Sequence, residues 1–200
     1  MAETVKIRKG LNIKLKGKAE KVYVDVPISE TVAVKPADFT NLRVKLLCQV
    51  GDEVKAGTAL FSDKNNDKVV FTSPVSGEVV EVKRGDKRRI LEIKVLADKE
   101  IMYEPFKQAN PADLSREEII EWMLKSGTWP LIRQRPFEII ANPEDTPKAI
   151  FISAFNSAPL APDNDFILHG HGEEFQAGLD AVGKLSGGKV HLNINANATA

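Results

Sequence analysis

Four places in the chain hold side chains whose type and spacing could do chemistry. Lys68 ends the polar run Asn65-Asn66-Asp67-Lys68, and a lysine amine exposed at a hairpin tip can carry a covalently attached swinging arm. Arg133 and Arg135 sit in a segment bounded by Pro130 and Pro136. Their guanidinium groups can pair with phosphate or carboxylate, and salt bridges to acidic neighbours are the simpler use. His169-Gly170-His171 offers two imidazoles, which lie on one side of the backbone only in an extended segment. A metal there would need more ligands, and only Asp163 and Asp165, in no ligand pattern, are near in sequence. Cys48, the single cysteine, lies in the apolar run Val44–Val50. One thiol can form neither an internal disulfide nor a multi-cysteine metal or iron–sulfur site, and no nucleophile signature surrounds it. A buried structural role is expected.

Composition bounds the setting of these groups. The 200 residues carry 28 basic and 28 acidic side chains, which gives no drive toward nucleic acid. The balance is uneven along the chain. Residues 1–100 hold 20 basic and 15 acidic side chains, and residues 101–200 hold 8 and 13. A sign change between halves fits two units with different surroundings. No run approaches the ~20 apolar residues that span a bilayer, and the opening residues lack an apolar core of signal-peptide length. Work at a membrane would therefore depend on partner subunits.

The elements that must position these groups fall into two styles. Lys21–Val26, Gly77–Val82 and Ile90–Val95 alternate apolar and charged residues, the mark of strands with one wet face. Gly51-Asp52, Asn65-Asn66-Asp67, Ser76-Gly77 and Gly85-Asp86 punctuate them as turns, so residues 1–103 read as a small antiparallel barrel or sandwich. Residues 104–147 read as a helix and a proline-rich connection. Ser115 can cap a helix over 114–127, Ile119, Trp122 and Met123 share its face, and Gly127 stops it. From 148 on, an apolar run to Phe155, a helix over 173–185 and a strand over 188–195 give the βαβ start of a parallel, Rossmann-like α/β domain. The run to Phe155 predicts a strand covered on both faces. Two strands cannot complete such a sheet, so the expectation is a longer protein interrupted within its second domain. No dinucleotide fingerprint follows the first strand, because Asn156-Ser157-Ala158-Pro159 lacks the glycines.

Two resemblances attach to these residues. Val50-Gly51-Asp52-Glu53-Val54-Lys55-Ala56-Gly57, then Asp67-Lys68 and Ser73-Pro74-Val75-Ser76-Gly77, resemble the biotinyl/lipoyl carrier fold and the wider barrel-sandwich hybrid group. The methionines that flank a biotinyl lysine are absent and the spacing from Lys68 to Pro74 is short for a lipoyl domain, so Lys68 reads as part of a solvated turn. Ile7–Gly17, Gly127–Phe137 and Ala154–Asp163 resemble the A subunit of the Na+-translocating NADH:quinone oxidoreductases, over essentially the whole chain. That family is similar in layout to the C subunit of Rnf complexes and to the NADH-binding flavoprotein of respiratory complex I, in which a glycine-rich loop after a helix holds flavin.

The resemblance implies a peripheral member of a complex that oxidises NADH, reduces ubiquinone and exports Na+. It implies partners among the membrane subunits, a quinone association and a place on the cytoplasmic face of the bacterial inner membrane. The residues themselves argue against a resident cofactor. Trp129, Pro130, Leu131, Ile132 and Arg133 stand where a flavin loop needs glycines, and residues with Cβ atoms resist left-handed backbone and fill the space a ring would occupy. The expectation is a degenerate flavin loop, with no catalytic, cofactor-binding or metal-ligating residue in this chain and no activity from the chain alone. The alternatives are a lipoyl- or biotin-carrier module and a flavin-binding component of an NADH dehydrogenase.

Overall fold

Alternating burial organises the first half of the chain into β1 (Thr31–Val34), β2 (Val44–Leu46), β3 (Glu53–Val54), β4 (Ala59–Asp63), β5 (Asn66–Thr72), β6 (Gly77–Arg84) and β7 (Ile90–Ala97). The computed structural model describes residues 3–6, 10, 13, 15–17 and 19–196, so much of the Ile7–Gly17 motif lies outside the described residues. The strands form two antiparallel sheets, ordered β1-β7-β6-β3 and β2-β4-β5. Leu60, Phe61, Val79, Ile93 and Val95 of these strands are fully buried, each contributing about 1.5–3 kcal/mol of burial. Phe61 stacks on Phe71 at 4.5 Å, and Phe39 meets Phe71 edge-on at 4.6 Å. The two packed antiparallel sheets agree with the small barrel or sandwich that the turn spacing suggests and with the barrel-sandwich hybrid that the resemblance implies. Gly77 is obligatory in it: its φ is 143° and a Cβ would overlap the Leu96 carbonyl.

Two local expectations differ from the structure. Lys21–Val26 joins no sheet. Its Tyr23 instead stacks on Phe166 at 4.7 Å and donates its hydroxyl to the Phe166 carbonyl, so the alternation there reflects one packed ring and not a ladder. The β4–β5 hairpin turns at Lys64-Asn65, because Asp63 pairs directly with Asn66 and Asp63 Oδ1 accepts from the Asn65 N–H. Asn66, Asp67 and Lys68 therefore lie in β5 and not at the tip.

The helix α1 (Arg116–Lys125) begins with the expected cap. Ser115 Oγ accepts from the Glu118 N–H at 3.2 Å while Glu118 accepts from the Ser115 N–H at 2.8 Å, satisfying two otherwise unpaired donors. Ile119 and Leu124 are buried as α1 packs on β5. The short hairpin β8 (Arg133–Gln134) and β9 (Ile139–Ile140) follows. Residues 26–146 form one compact unit with the barrel.

Residues 1–25 and 147–200 form the other unit. It contains β10 (Ala149–Ser153), α2 (Asn164–Leu168), α3 (Gly172–Gly183) and β11 (Lys189–Asn193). β10 and β11 pair in parallel, from Ala149 opposite Lys189 to Ser153 opposite Asn193, and α3 packs on β11. The βαβ reading of the sequence is therefore met. The expectation that both faces of the first strand are covered is not: Phe151 is 70% exposed and stacks on His191 of the neighbouring strand. A two-stranded sheet with one packed helix gives its second face nothing to lie against.

Candidate functional site

The segment after α1 is built as a plug. Gly127, at φ 72°, ends the helix in left-handed backbone, and a Cβ on it would come within 2.6 Å of Thr72 Oγ1 on β5. This close approach sets the following 3-10 turn, Trp129–Leu131, against the barrel. Trp129 is 3% exposed, and its indole N–H donates to the Ala141 carbonyl at 2.8 Å. Pro130 is fully buried beside it. Leu131, by contrast, is 75% exposed and Ile132 half-buried. Arg133 lies with its guanidinium 5.2 Å from the Phe39 ring centre, a distance at which a cation is attracted to the aromatic face. Arg135 reaches Glu138 at 3.3 Å, an acidic neighbour of the kind the sequence suggested. Of the five residues from Trp129 to Arg133, Trp129 and Pro130 fill space, Ile132 is half-buried, Arg133 packs on an aromatic ring and Leu131 turns outward.

The other chemistry-bearing side chains are separate from this plug. Lys68 is exposed on β5, and Lys64 occupies the hairpin tip. Cys48 is half-buried, and that burial, followed by the nearby Asp52 carboxylate, raises its thiol above the ordinary range. A raised pKa keeps the thiolate scarce at neutral pH, contrary to what a nucleophile needs. His169 ends α2 and His171 precedes α3. Among the described residues no cluster of three or more His, Cys, Asp or Glu is placed to hold a metal. No described helix is long and apolar enough to cross a membrane.

In the α/β unit, a polar cleft of about 320 Å³ opens beyond the carboxyl ends of β10 and β11, lined in part by Lys21, Asn156, Asp163, Asp165 and Asn195. Ligands of open α/β sheets bind at such strand ends. Here the lining carries two carboxylates and one ammonium, which disfavours a dinucleotide phosphate. Lys21 and Asp163 meet at 2.5 Å. The Lys21 hydrogen bond, followed by the Phe166 N–H, holds the Asp163 carboxyl below the usual aspartate range. Sequence reading missed this tie because 142 positions separate the two residues; no local pattern announces it.

Comparisons with known proteins agree with the two-part build. Residues 5–98 match the family described as the NqrA N-terminal barrel-sandwich hybrid domain, and residues 114–200 that described as the NqrA second alpha/beta domain. The A subunit of the Na(+)-translocating NADH-quinone reductase of Serratia proteamaculans is 38% identical over 193 residues, covering 94% of this chain and 43% of that protein. The corresponding protein of Photorhabdus laumondii is 36% identical over 190 residues, with 94% and 42% covered. That of Neisseria meningitidis is 37% identical over 191 residues, with the same coverage. The chain thus spans less than half the length of these curated relatives.

Proposed function

From a chain that belongs to the NqrA family, the A subunits of the Na+-translocating NADH-quinone reductases, we infer a docking and scaffold part of that respiratory complex, without a redox cofactor of its own. In this reading the complex oxidises NADH, reduces ubiquinone to ubiquinol and exports Na+. The chain is held at the cytoplasmic face of the bacterial inner membrane by the other subunits and lies near the quinone, while flavins and iron–sulfur centres belong to its partners. The observation that carries the reading is the plug. Trp129 and Pro130 are buried against the barrel, and the indole N–H is already satisfied by Ala141. Seating an isoalloxazine ring there would require ejecting the indole and leaving the Ala141 carbonyl without this donor, which costs about 1–3 kcal/mol for the hydrogen-bonding group alone.

The test is spectroscopic. Purified chain supplied with FMN or FAD is expected to be colourless after desalting, of unmodified mass, and able to assemble with the remaining subunits into a complex with NADH:ubiquinone activity. Stoichiometric flavin absorbance would overturn the cofactor-free reading in favour of a flavoprotein. A lipoyl or biotinyl adduct at Lys68 or Lys64 would favour a carrier module.

A further inference from the structure

The barrel unit holds a second concave surface that the plug leaves unused. A groove of about 830 Å³ lies among β2, the 3-10 turn Pro36–Asp38 and the tip of the β6–β7 hairpin. Pro36, Phe39, Leu42 and Ile90 give it apolar lining, and seven basic side chains line it with no acidic one. Lys45 is paired with Asp67 at 2.6 Å. The other six, Arg43, Lys64, Arg84, Lys87, Arg88 and Arg89, have no ion-pair partner among the described residues. Elsewhere on the same barrel Lys94 meets Glu81 and Glu92, and Lys35 and Lys83 both reach Glu92. Lys55, Lys68 and Lys99 form no ion pair among the described residues either, but they do not line the groove, which gathers six such cations on one concave surface.

Two further features point to a particular kind of occupant. The hairpin turn puts Lys87 at φ 53° and Arg88 at φ 60°, consecutive left-handed positions for which Asn and Gly are the low-strain residues. Two long cationic side chains occupy them instead. The strand β2 is also an edge, paired on one side alone. Arg43 O accepts from the Lys64 N–H and the Leu47 N–H donates to Leu60 O, so the odd-numbered residues bond to β4. By antiparallel alternation the N–H and C=O groups of Val44 and Leu46 face the other way, at the groove that both residues line.

We propose that this groove receives an extended acidic segment of a partner polypeptide, added as a strand along β2 with its carboxylates against Arg43, Lys64 and the Lys87–Arg89 turn. Strand addition draws affinity from main-chain hydrogen bonds, and the flanking charges select the partner and steer its approach. A planar bilayer cannot enter a concave groove or use the backbone of β2, and a phosphate-rich ligand would leave that edge unpaired. The inference is independent of the plug, and a flavin found at Trp129 would leave it standing.

The direct test is fluorescence anisotropy of the 200-residue chain with a labelled peptide of alternating Glu and Val. Saturable binding is expected at low salt, weakened about tenfold or more by replacing Glu with Gln or by raising the salt. N-methylation of alternate peptide amides is expected to weaken it by a similar factor. The double variant Lys87→Asn, Arg88→Gly installs the residues the turn prefers, so its thermal midpoint should hold or rise while affinity falls about tenfold. Equal binding of the Gln or N-methylated peptide, or full affinity in the double variant, overturns the proposal. So does sedimentation with phosphatidylglycerol vesicles in the absence of peptide binding, which assigns the cluster to a lipid surface.

Discussion

The barrel unit and the α/β unit use apolar residues in opposite ways. Among the described residues, every buried apolar side chain but one belongs to residues 26–146; the exception is Leu185. In the barrel two sheets, α1 and the Trp129 plug close on one core. In the α/β unit, Phe151, Leu192 and Ile194 are exposed, and neither α2 nor α3 has a buried residue. The hydrophobic effect scales with area removed from water, so the barrel can hold itself together, whereas the α/β unit has far less to set against its chain entropy. One chain therefore joins a self-sufficient scaffold to a unit that presents apolar surface.

That contrast can be broken by substitutions, beginning with the largest expected effect. Trp129→Ala should destabilise the barrel by about 3–5 kcal/mol, because a buried ring and its hydrogen bond are lost together. Urea unfolding followed at far-ultraviolet wavelengths reads this directly. A loss under about 1 kcal/mol would mean the plug is an appendage, and the core-filling account of the loop would fail. Next comes a matched pair of glycines. Gly77→Ala forces a side chain into left-handed backbone and onto the Leu96 carbonyl, and about 3 kcal/mol is expected. Gly188→Ala overlaps the Lys148 carbonyl in the α/β unit, without the left-handed backbone strain of Gly77. It should loosen β10 and β11 in hydrogen exchange while leaving the urea midpoint of the barrel in place. A shift of the barrel midpoint by Gly188→Ala would show that the two units unfold as one.

How far the sequence revealed each unit follows from the same contrast. Strands β6 and β7 are legible because one-sided burial writes a period of two into Glu78–Val82 and Ile90–Val95. The cap at Ser115 is legible because its partner Glu118 is three residues away. The Lys21–Val26 alternation misled because Tyr23 answers to Phe166, a partner no local pattern names. The hairpin tip was misplaced because the Asp63–Asn66 pairing is decided by β4 across the turn and not by the polar run itself. The groove escaped notice altogether. Arg84-Gly85-Asp86-Lys87-Arg88-Arg89 reads as a turn, and its charge gains meaning only where Arg43 and Lys64 arrive from another sheet.

Smaller effects sharpen the comparison. Ser62 is buried in the barrel with its hydroxyl unpaired among the described residues. Ser62→Ala removes a polar group that has no partner to lose, so stability should hold or rise by up to about 1 kcal/mol; a loss of that size would reveal a hydrogen bond at this hydroxyl.

The smallest effect lies in the α/β unit, at Lys21 and Asp163. The Asp163 carboxyl is held low by Lys21 and then by the Phe166 N–H. A depressed folded pKa contributes stability above the unfolded value of about 3.9 and loses it as pH falls through the folded value. The stability it contributes should therefore be full at about pH 5–7, begin to fall below about pH 3.9, and be lost as pH drops through the lower folded value, where Asp163 protonates and Tyr23 loses this support beside Phe166. Both partners are exposed, so salt should weaken it. Carboxyl-detected NMR should show Asp163 titrating below ordinary aspartates, and Lys21→Gln should move it back up without altering the barrel transition. An Asp163 titration unchanged by Lys21→Gln would mean that the extended N-terminal segment is not fastened to α2, leaving the α/β unit with still fewer interactions of its own.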